Sequence, residues 1–399
     1  MRILVIAMSN SIHTARWISQ IADRGWDIHL FPSIDCGLLH PDMKNITVYQ
    51  TFYAHDRSVG HNVTLHGIPV LSEHLANATT LLLKKLKPGH QLKRLVRLIG
   101  NIRPDIIHSL EIQAAGYLTM EAKRILRGSF PPWIVTNWGS DIYFFRRFPE
   151  HEKKIREVLS SCDYYTCECE RDVALAHEYG LKGRVLSVMP NAGGIDLGFA
   201  AGLRRHGATS ARRVIMLKGY HSWAGRALVG LQALESCVDL LSGYTIAVYS
   251  VSPAVAKAGK RFEKMTGIRT KIIPKGTPHA EILGLHGSAR LSIGLSVSDG
   301  LSTSFLEAMA MGSFPIQSWT ACADEWIEDG KTGLLVPPED PLAVAQAIRH
   351  ALTDDEMVDH AAEKNYRTVE MRLDHALLKH KATELYAAFA KDRGIRNEA

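Results

Sequence analysis

The segment SVSDGLSTSFLEAMAMGSFPI (296–316) holds the residues whose types and spacing could do chemistry. We expect a strand to end here, a polar loop with Gly300 to follow, and a helix to begin near Ser302–Ser304. The free backbone N–H groups and the positive dipole of such a helix start suit a phosphate group. Asp299 and Glu307 flank this anion site, and their carboxylates would accept hydrogen bonds from hydroxyl groups. Two acids around an anion site indicate a sugar nucleotide rather than a bare phosphate.

A purely structural interpretation of the same segment is equally consistent with the local sequence. Ser304-x-x-Glu307 fits a capping box, in which Glu307 would only stabilise its helix, by about 0.5–2 kcal/mol. The nearby Gly330-Lys331-Thr332 is not a P-loop, because Glu325 stands where that motif needs glycine. No D-x-D triplet occurs in the chain and the cysteines form no C-x-x-C pair. We therefore expect no metal and no other cofactor.

The elements that must position this segment are strands and helices in alternation. Short continuous apolar runs between helical segments are typical of parallel sheets covered on both faces. The predicted fold class is α/β, with two tandem doubly wound Rossmann-like domains facing a cleft. Ligands of such sheets bind at the carboxyl ends of the strands. The predicted strands are 3–8, 27–32, 105–110, 133–138, 164–169 and 184–190, then 214–220, 245–251, 270–274, 289–296 and 313–318.

Length and composition agree with this organisation. The chain has 399 residues, enough for two domains, and 46% of them are hydrophobic. We predict an N-terminal domain over 1–190, a C-terminal donor-side domain over 191–365 and a helical segment over 366–399 that packs back toward the first domain. The net charge of +6 is too small over this length to indicate a nucleic-acid partner. The first ten residues have the pattern of a buried strand rather than of a secretory signal, which predicts a cytoplasmic protein.

A basic stretch interrupts the first domain. Residues 74–104 contain seven Lys or Arg residues, no Asp or Glu, and many interleaved leucines. Pro88-Gly89 is expected to split the stretch into two helices. A basic amphipathic surface over 81–103 would make peripheral contact with an anionic membrane. The alternative is a solvated helix face whose apolar side lies in the core.

The segment 296–316 resembles the signature of the retaining glycosyltransferases of family 4, two-domain enzymes of the GT-B architecture. That signature is an acidic residue, seven residues, then Glu followed by A-M-A-x-G-x-P. Asp299, Glu307 and Ala308–Gly312 match it, and Pro315 follows Gly312 after two residues instead of one. Further likenesses extend over nearly the whole chain. They are the first loop and helix (10–31), the strand IRPDIIHS (102–109), the domain entry MPNAGGID (189–196) and the stretch 324–348.

The resemblance implies roles for the donor-side residues. Asp299 would hold hydroxyl groups of the donor sugar, and Glu307 would hold the ribose. Two basic residues at the start of the second domain would neutralise the diphosphate leaving group. The sugar and the diphosphate would lie against the backbone amides of Gly300, Leu301 and Ser302.

The chain departs from the family pattern in the basic pair. The family has G-R and then K-G at this turn, whereas this chain has Lys218-Gly219-Tyr220, followed by Gly225-Arg226. Lys218 and Arg226 are the candidate cations, with Gly219 beside the donor. The alternatives are a strand-end surface charge for Lys218 and a helix-face charge for Arg226.

A second departure lies in the N-terminal domain. The family has His-Gly-x-Asp, with the His near the reacting sugar, where this chain has Trp138, Gly139 and Asp141. The resemblance implies donor-binding roles for Trp138 and Gly139 and a catalytic role for Asp141. Trp138 cannot exchange a proton, although an indole can stack on a sugar face or donate one hydrogen bond. The first loop has Ser9, Asn10 and Ser11 in place of paired glycines, with His13 at matching spacing; these residues would approach the acceptor or a phosphate. Ser9 or Ser11 would alternatively be an ordinary helix N-cap.

The resemblance thus implies a hexosyltransferase-type enzyme that moves a sugar from a nucleotide-diphosphate sugar to an acceptor with retention of configuration. The acceptor would be a glycan, a lipid-linked sugar or a small molecule. Front-side attack needs no enzymic base, because the leaving phosphate can take the acceptor proton. A sugar-nucleotide epimerase, a phosphorylase of the same architecture and a non-catalytic sugar-binding protein remain the alternatives.

Overall fold

The computed structural model describes residues 1–54 and 60–392, which divide into two compact units. The first unit is Met1–Gly193 together with the chain from Leu378 onwards, and the second is Gly194–Leu377. Each unit is a parallel sheet with helices packed against it, so the predicted fold class of two Rossmann-like α/β domains is confirmed.

The first unit contains an eight-stranded parallel sheet with the strand order β4-β3-β2-β1-β5-β6-β7-β8. Its strands are β1 (Arg2–Ala7), β2 (Asp27–Pro32), β3 (Ile46–Ala54), β4 (Val63–Val70), β5 (Ile106–Leu110), β6 (Trp133–Thr136), β7 (Tyr164–Cys167) and β8 (Arg184–Val188). Its helices before residue 193 are α1 (Ile12–Ile21), α2 (Glu73–Leu86), α3 (His90–Ile102), α4 (Tyr117–Leu126), α5 (Ser140–Tyr143), α6 (Pro149–Ser161) and α7 (Glu170–Glu178).

The second unit contains a six-stranded parallel sheet with the order β11-β10-β9-β12-β13-β14. The strands are β9 (Val214–Lys218), β10 (Thr245–Tyr249), β11 (Thr270–Ile272), β12 (Ala289–Gly294), β13 (Phe314–Ser318) and β14 (Leu334–Val336). The helices are α8 (Leu197–Leu203), α9 (Ala227–Glu235), α10 (Pro253–Thr266), α11 (His279–Ser288), α12 (Thr303–Ala310), α13 (Pro341–Thr353) and α14 (Asp355–Arg372), and α15 (His375–Asp392) follows.

The central strands are buried on both faces, as their apolar runs predict. Every residue of β5, β6 and β12 is buried. The strands that the sequence did not predict, β3, β4 and β14, lie at or next to sheet edges. β3 is half-buried and β4 mostly exposed, so their sequences mix polar and apolar residues and lack a continuous apolar run.

The order of the strands reverses at one point in each sheet. In the first sheet it reverses between β1 and β5, and in the second between β9 and β12. At such a point the chain leaves the two adjacent strands toward opposite faces of the sheet. This opens a crevice at the carboxyl ends of those strands. The loops after β1, β5, β9 and β12 are therefore the expected places for ligands.

The C-terminal helices belong to different units. Val358 and Ala361 on α14 are part of the core of the second unit, so this helix stays there. The chain joins the first unit only at Leu378, later than the predicted start of the returning segment at 366. Within the first unit, the fully buried Tyr386 hydroxyl accepts a hydrogen bond from Trp17 Nε1 at 3.1 Å and lies 2.6 Å from His108 Nδ1.

Bilayer crossing by a helix would require a longer apolar segment than any that the described part of the chain contains.

Burial of His108 gives folding stability a pH dependence. Burial lowers the pKa of His108 to about 3, so the folded protein keeps this ring neutral. The unfolded chain takes up a proton near pH 6.5, and stability is therefore lost as the pH falls below that value. We expect the wild type to lose about 2 kcal/mol through this residue between pH 7 and pH 5.

Denaturant unfolding at pH 7 and pH 5 measures this loss. His108→Gln removes the proton uptake, so its stability is expected to fall less than that of the wild type over the same interval. His360→Gln, at an exposed position of α14, is the matched control and is expected to behave as the wild type. An equal loss in His108→Gln and wild type would contradict the assignment.

Candidate active site

Lys218 lies at the carboxyl end of β9, beside the point where the strand order of the second sheet reverses. Its ammonium group donates a hydrogen bond to Ser302 Oγ at 2.9 Å and lies 3.8 Å from Asp299 Oδ2. The loop after β12 supplies both partners. Two neighbouring strands thus bring the predicted cation and the predicted acid together.

The helix that follows the loop begins at Thr303, with Ser302 as its N-cap residue. The Ser302 hydroxyl bonds to Lys218 and to Ser304 Oγ instead of capping its own helix. The first N–H groups of α12 and the ammonium group therefore lie together at one corner of the sheet. This is the combination of helix dipole, amide donors and fixed charge that binds an anionic phosphate.

Asp299 is partly exposed at the rim of this corner. Its Oδ1 accepts a hydrogen bond from the Gly300 amide at 3.0 Å, which turns the carboxylate back over its own loop. Gly300, Leu301 and Ser302 are buried behind it, so the loop itself is held in place by packing. The arrangement leaves a carboxylate beside an anion site, where it can accept hydrogen bonds from hydroxyl groups.

Glu307 does not form the predicted capping box. It is the fifth residue of α12, too far along the helix to reach back to the N-cap. Its buried carboxylate instead lies 2.6 Å from Nε2 of the half-exposed His279, the first residue of α11. The helix-cap interpretation of Glu307 is therefore wrong, and the carboxylate faces a neighbouring helix.

Gly219 follows Lys218 where the backbones of neighbouring segments approach closely. A Cβ atom at this position would lie 2.9 Å from the carbonyl oxygen of Tyr249, which itself accepts a hydrogen bond from the Gly219 amide at 2.7 Å. The sequence therefore needs glycine here for packing between β9 and β10.

Arg226 makes different contacts from Lys218. Its guanidinium donates to Glu339 Oε1 at 2.8 Å and to the carbonyl oxygens of Ser222, Trp223 and Gly225. Glu339 is mostly exposed, and exposed ion pairs contribute only about 0–1 kcal/mol. In this conformation Arg226 stabilises the loop between β9 and α9, whereas Lys218 meets Ser302 and Asp299.

In the first unit, the small residues after β1 have structural roles. Ser9 is fully buried and donates to the carbonyl oxygen of Leu38 at 2.7 Å. Ser11 is the N-cap of α1 and accepts from the His13 amide at 3.2 Å, so the alternative interpretation as an N-cap is correct for this residue. Asn10, between them, is exposed.

His13 and Trp138 come together at the carboxyl edge of the first sheet. Their ring centroids are 5.7 Å apart, with His13 on the first turn of α1 and Trp138 in the loop after β6. Gly139 follows with φ 39°, a conformation that favours glycine, and turns the chain into α5. These rings form a partly exposed aromatic surface, and Asn10 precedes His13 by three residues in the loop before α1.

Asp141 is buried and holds the loops after β5 and β6 together. Its Oδ2 accepts hydrogen bonds from the amides of Ile112 at 2.8 Å and Trp138 at 3.0 Å. Burial, and then the charge of Glu111, raise the pKa of Asp141 well above its usual range. The geometry is that of a positioning residue for Trp138 rather than of a group that meets a substrate.

Two family models match the chain. The model described as glycosyl transferase 4-like matches residues 2–167, and the model described as glycosyl transferases group 1 matches residues 245–354. Among curated proteins there is no match.

Solved structures of low sequence identity share the fold along the whole chain. HepE from Anabaena, solved with UDP-glucose, has 15% identity and a TM-score of 0.67, with 97% of this chain and 100% of that chain covered. Sucrose-phosphate synthase from Thermosynechococcus elongatus has 16% identity and a TM-score of 0.70, with 98% and 100% covered. A glycosyltransferase from Rickettsia africae has 16% identity and a TM-score of 0.65, with 98% of both chains covered.

This chain belongs to the GT-B glycosyltransferases.

Sequence reasoning missed two polar residues of this glycosyltransferase that lie beside its candidate sites. His279 begins α11 and touches Glu307, but nothing in the local sequence indicates that contact. Glu111 follows β5 with φ 87° and ψ 152°, a strained backbone conformation for a non-glycine residue, and its carboxylate accepts from the amides of Ala114 and Ala115. Its position directly after a buried strand is the one signal that was available.

The raised pKa of Asp141 predicts the effect of an isosteric substitution in the glycosyltransferase. A buried acid with a raised folded-state pKa destabilises the fold as the pH rises through that pKa. Asp141→Asn keeps an acceptor for the two amides and cannot ionise, so we expect equal or higher stability at pH 8 and a flatter dependence between pH 5 and 8. Asp141→Ala leaves the amides unpaired and is expected to lose about 1–3 kcal/mol.

Urea unfolding at pH 5, 6, 7 and 8 tests both variants against the wild type. If Asp141→Asn were markedly less stable than the wild type at pH 8, the carboxyl group would be ionised and needed in that form.

Proposed function

We propose that this glycosyltransferase moves a sugar from a nucleotide-diphosphate sugar to an acceptor, with retention of anomeric configuration. The observation that carries the proposal is the start of α12, where amide donors and the Lys218 ammonium group lie together beside the Asp299 carboxylate, with Glu307 one turn further along the helix. An anion site accompanied by two acids fits a diphosphate joined to a sugar at one end and to a ribose at the other. The UDP-glucose bound by Anabaena HepE supports the same class of donor.

The diphosphate is the part of the donor that needs positive charge. We assign it to the first amides of α12 and to Lys218, whose present partners, a hydroxyl group and a carboxylate at 3.8 Å, leave it room to turn toward a phosphate. Arg226 is the second cation, because its pairing with the exposed Glu339 is weak enough to exchange for a doubly charged ligand. Both cations would stabilise the diphosphate as the bond to the sugar breaks.

The two carboxylates bind the other two parts of the donor, the ribose and the transferred sugar. Glu307 accepts from the ribose hydroxyl groups, with His279 orienting the carboxylate from α11. Asp299 accepts from hydroxyl groups of the transferred sugar, against the amides of Gly300 and Leu301. Gly219, directly after Lys218, is assigned to the same end of the donor. Lys218, Arg226 and Asp299 are thus the groups that meet the reacting end of the donor.

The acceptor, a glycan, a lipid-linked sugar or a small molecule, is assigned to the first unit. Asn10, His13 and Trp138 offer an exposed amide, an imidazole and an indole at the carboxyl edge of that sheet. An indole face packs on the C–H groups of a sugar ring, and the Asp141 carboxyl group holds the Trp138 backbone in place. Retention then proceeds by attack on the face that the diphosphate leaves, with a leaving phosphate oxygen taking the acceptor proton.

Substitution of Glu307 tests the donor site. Glu307→Gln keeps the shape and one acceptor oxygen but removes the charge-assisted bonds to the ribose, so we expect roughly a tenfold or greater loss of nucleotide affinity with the fold intact. Thermal shift with uridine and guanosine diphosphate sugars measures it, since a donor at a hundred times its Kd adds about 2.7 kcal/mol of stability. Glu356→Gln, at an exposed position of α14, is the control. Unchanged donor affinity in Glu307→Gln would contradict the ribose role.

Metal independence is a separate prediction. With Lys218, Arg226 and the helix amides supplying the positive charge, transfer is expected to proceed at an unchanged rate in excess chelator. Complete loss of turnover that Mg²⁺ restores would contradict it.

Release of nucleotide with and without candidate acceptors distinguishes the competing activities. A glycosyltransferase releases nucleoside diphosphate in proportion to the glycosylated acceptor, whose anomeric configuration is then read by NMR. Stoichiometric release of diphosphate and an isomerised free sugar without any acceptor would indicate an epimerase, and a requirement for inorganic phosphate would indicate a phosphorylase. Tight donor binding without turnover would leave a sugar-binding protein.

A further inference from the structure

Helix α2 leaves most of its surface exposed. Of its fourteen residues only Ala76 and Thr80 are buried. Ala76 packs so closely on the chain at Gly37 that a Cβ atom there would lie 2.5 Å from the Ala76 side chain. The helix therefore rests on the first unit by a narrow stripe of small side chains, and the larger part of its circumference is turned to solvent.

One side of the exposed part of α2 is apolar. Leu75, Leu82 and Leu86 are spaced seven and four residues apart, which puts them on one side of the helix. All three are exposed, Leu86 to 70%. Leu71, directly before the helix, is 89% exposed, and Ile68 on the edge strand β4 is exposed as well. We call these residues the α2 leucine face; the exposed Leu81 lies about a quarter of a turn further round the helix.

Such a concentration of exposed large apolar side chains needs a covering partner. Isolated exposed leucines are ordinary on protein surfaces, but a contiguous group on one helix and the adjoining strand marks an interaction surface. The next helix is different, because Leu95, Leu98 and Ile99 of α3 lie in the core of the first unit. Of the two helices in the basic stretch, only α2 has exposed leucines that a partner could contact.

The charges around the leucine face indicate what that partner is. Lys84, Lys85 and Lys87 are exposed at the end of α2, and Lys93 and Arg97 are exposed on one side of α3. Between residues 74 and 104 the sequence has seven Lys or Arg residues and no acidic residue. A protein partner with an ordinary apolar interface does not require this excess of one sign, whereas an anionic bilayer presents negative headgroups beside an apolar interior.

We propose that the α2 leucine face docks this protein on anionic lipid bilayers, with Leu75, Leu82 and Leu86 inserted at the acyl boundary and the lysines among the headgroups. The inference does not depend on the proposed transfer reaction, since it concerns a surface of the first unit and needs no donor or acceptor. It would bring the first unit, to which we assign the acceptor, to a membrane surface.

Vesicle co-sedimentation of the full chain tests the docking. Vesicles of phosphatidylcholine with about a third phosphatidylglycerol are compared with pure phosphatidylcholine at low and physiological salt. The wild type is expected to bind the anionic vesicles at least tenfold more strongly. Leu82→Ser/Leu86→Ser, at two exposed positions, is expected to lose at least tenfold in partitioning, and Lys84→Glu/Lys85→Glu/Lys87→Glu roughly a hundredfold.

Matched controls change equally exposed residues elsewhere. Leu342→Ser on α13 and Lys257→Glu/Lys260→Glu on α10 are expected to bind vesicles as the wild type does. Thermal unfolding of every variant, with and without the nucleotide sugar, reports the fold and the donor site separately from the membrane.

Three results would overturn the proposal. The first is wild-type binding that does not distinguish anionic from neutral vesicles. The second is a leucine variant that binds as the wild type does, which would leave only electrostatic adsorption. The third is a wild-type dimer that Leu82→Ser/Leu86→Ser dissociates without changing vesicle binding, which would make the face an interface between two copies of the chain.

Discussion

The candidate donor site depends on the parallel pairing of β9 with β12. Leu217 of β9 pairs with Ile293 of β12, so the two strands end side by side, Lys218 on one and the loop with Asp299 on the other. Because the strand order reverses between them, their following helices leave on opposite sides and do not cover this edge. A shift of one residue in the pairing would turn Lys218 to the other face of the sheet and separate it from Ser302.

Much of the architecture was predictable because central parallel strands have an unmistakable pattern. Runs such as IIHSL and ARLSIG are apolar or small apart from one basic residue each, His108 and Arg290, and every residue in them is buried. The edge strands were not predictable on that ground. β4 contains Gly67 and Pro69 and is largely exposed, so nothing in its sequence separates it from a loop. β4 is a strand because it pairs with β3, and the sequence of the segment by itself does not show that pairing.

The residues of the candidate sites also include some that the sequence predicts and some that it does not. Asp299 and the start of α12 were predictable from a loop between a strand and a helix, and Lys218 from its place at the end of a buried strand. The contact of His279 with Glu307 was not, because it joins the first residue of one helix to a neighbouring helix 28 residues later. The same limit explains the capping box that the spacing of Ser304 and Glu307 predicted. Its spacing is right, but the helix begins one residue before Ser304, at Thr303, and so Glu307 lies beyond the first turn.

The basic stretch in the first unit illustrates how similar sequences can take opposite roles. Helices α2 and α3 both combine leucines with Lys or Arg, and composition alone supports either a core helix or a docking surface for each of them. Tertiary packing separates them, because α3 lies against the core with Leu95 and Ile99, while α2 is held by Ala76 and Thr80. Small residues on the inward side let a helix lie close to its sheet without using its large side chains there. The leucines of α2 are then left outside, where lysines at the end of the helix give the exposed surface its charge.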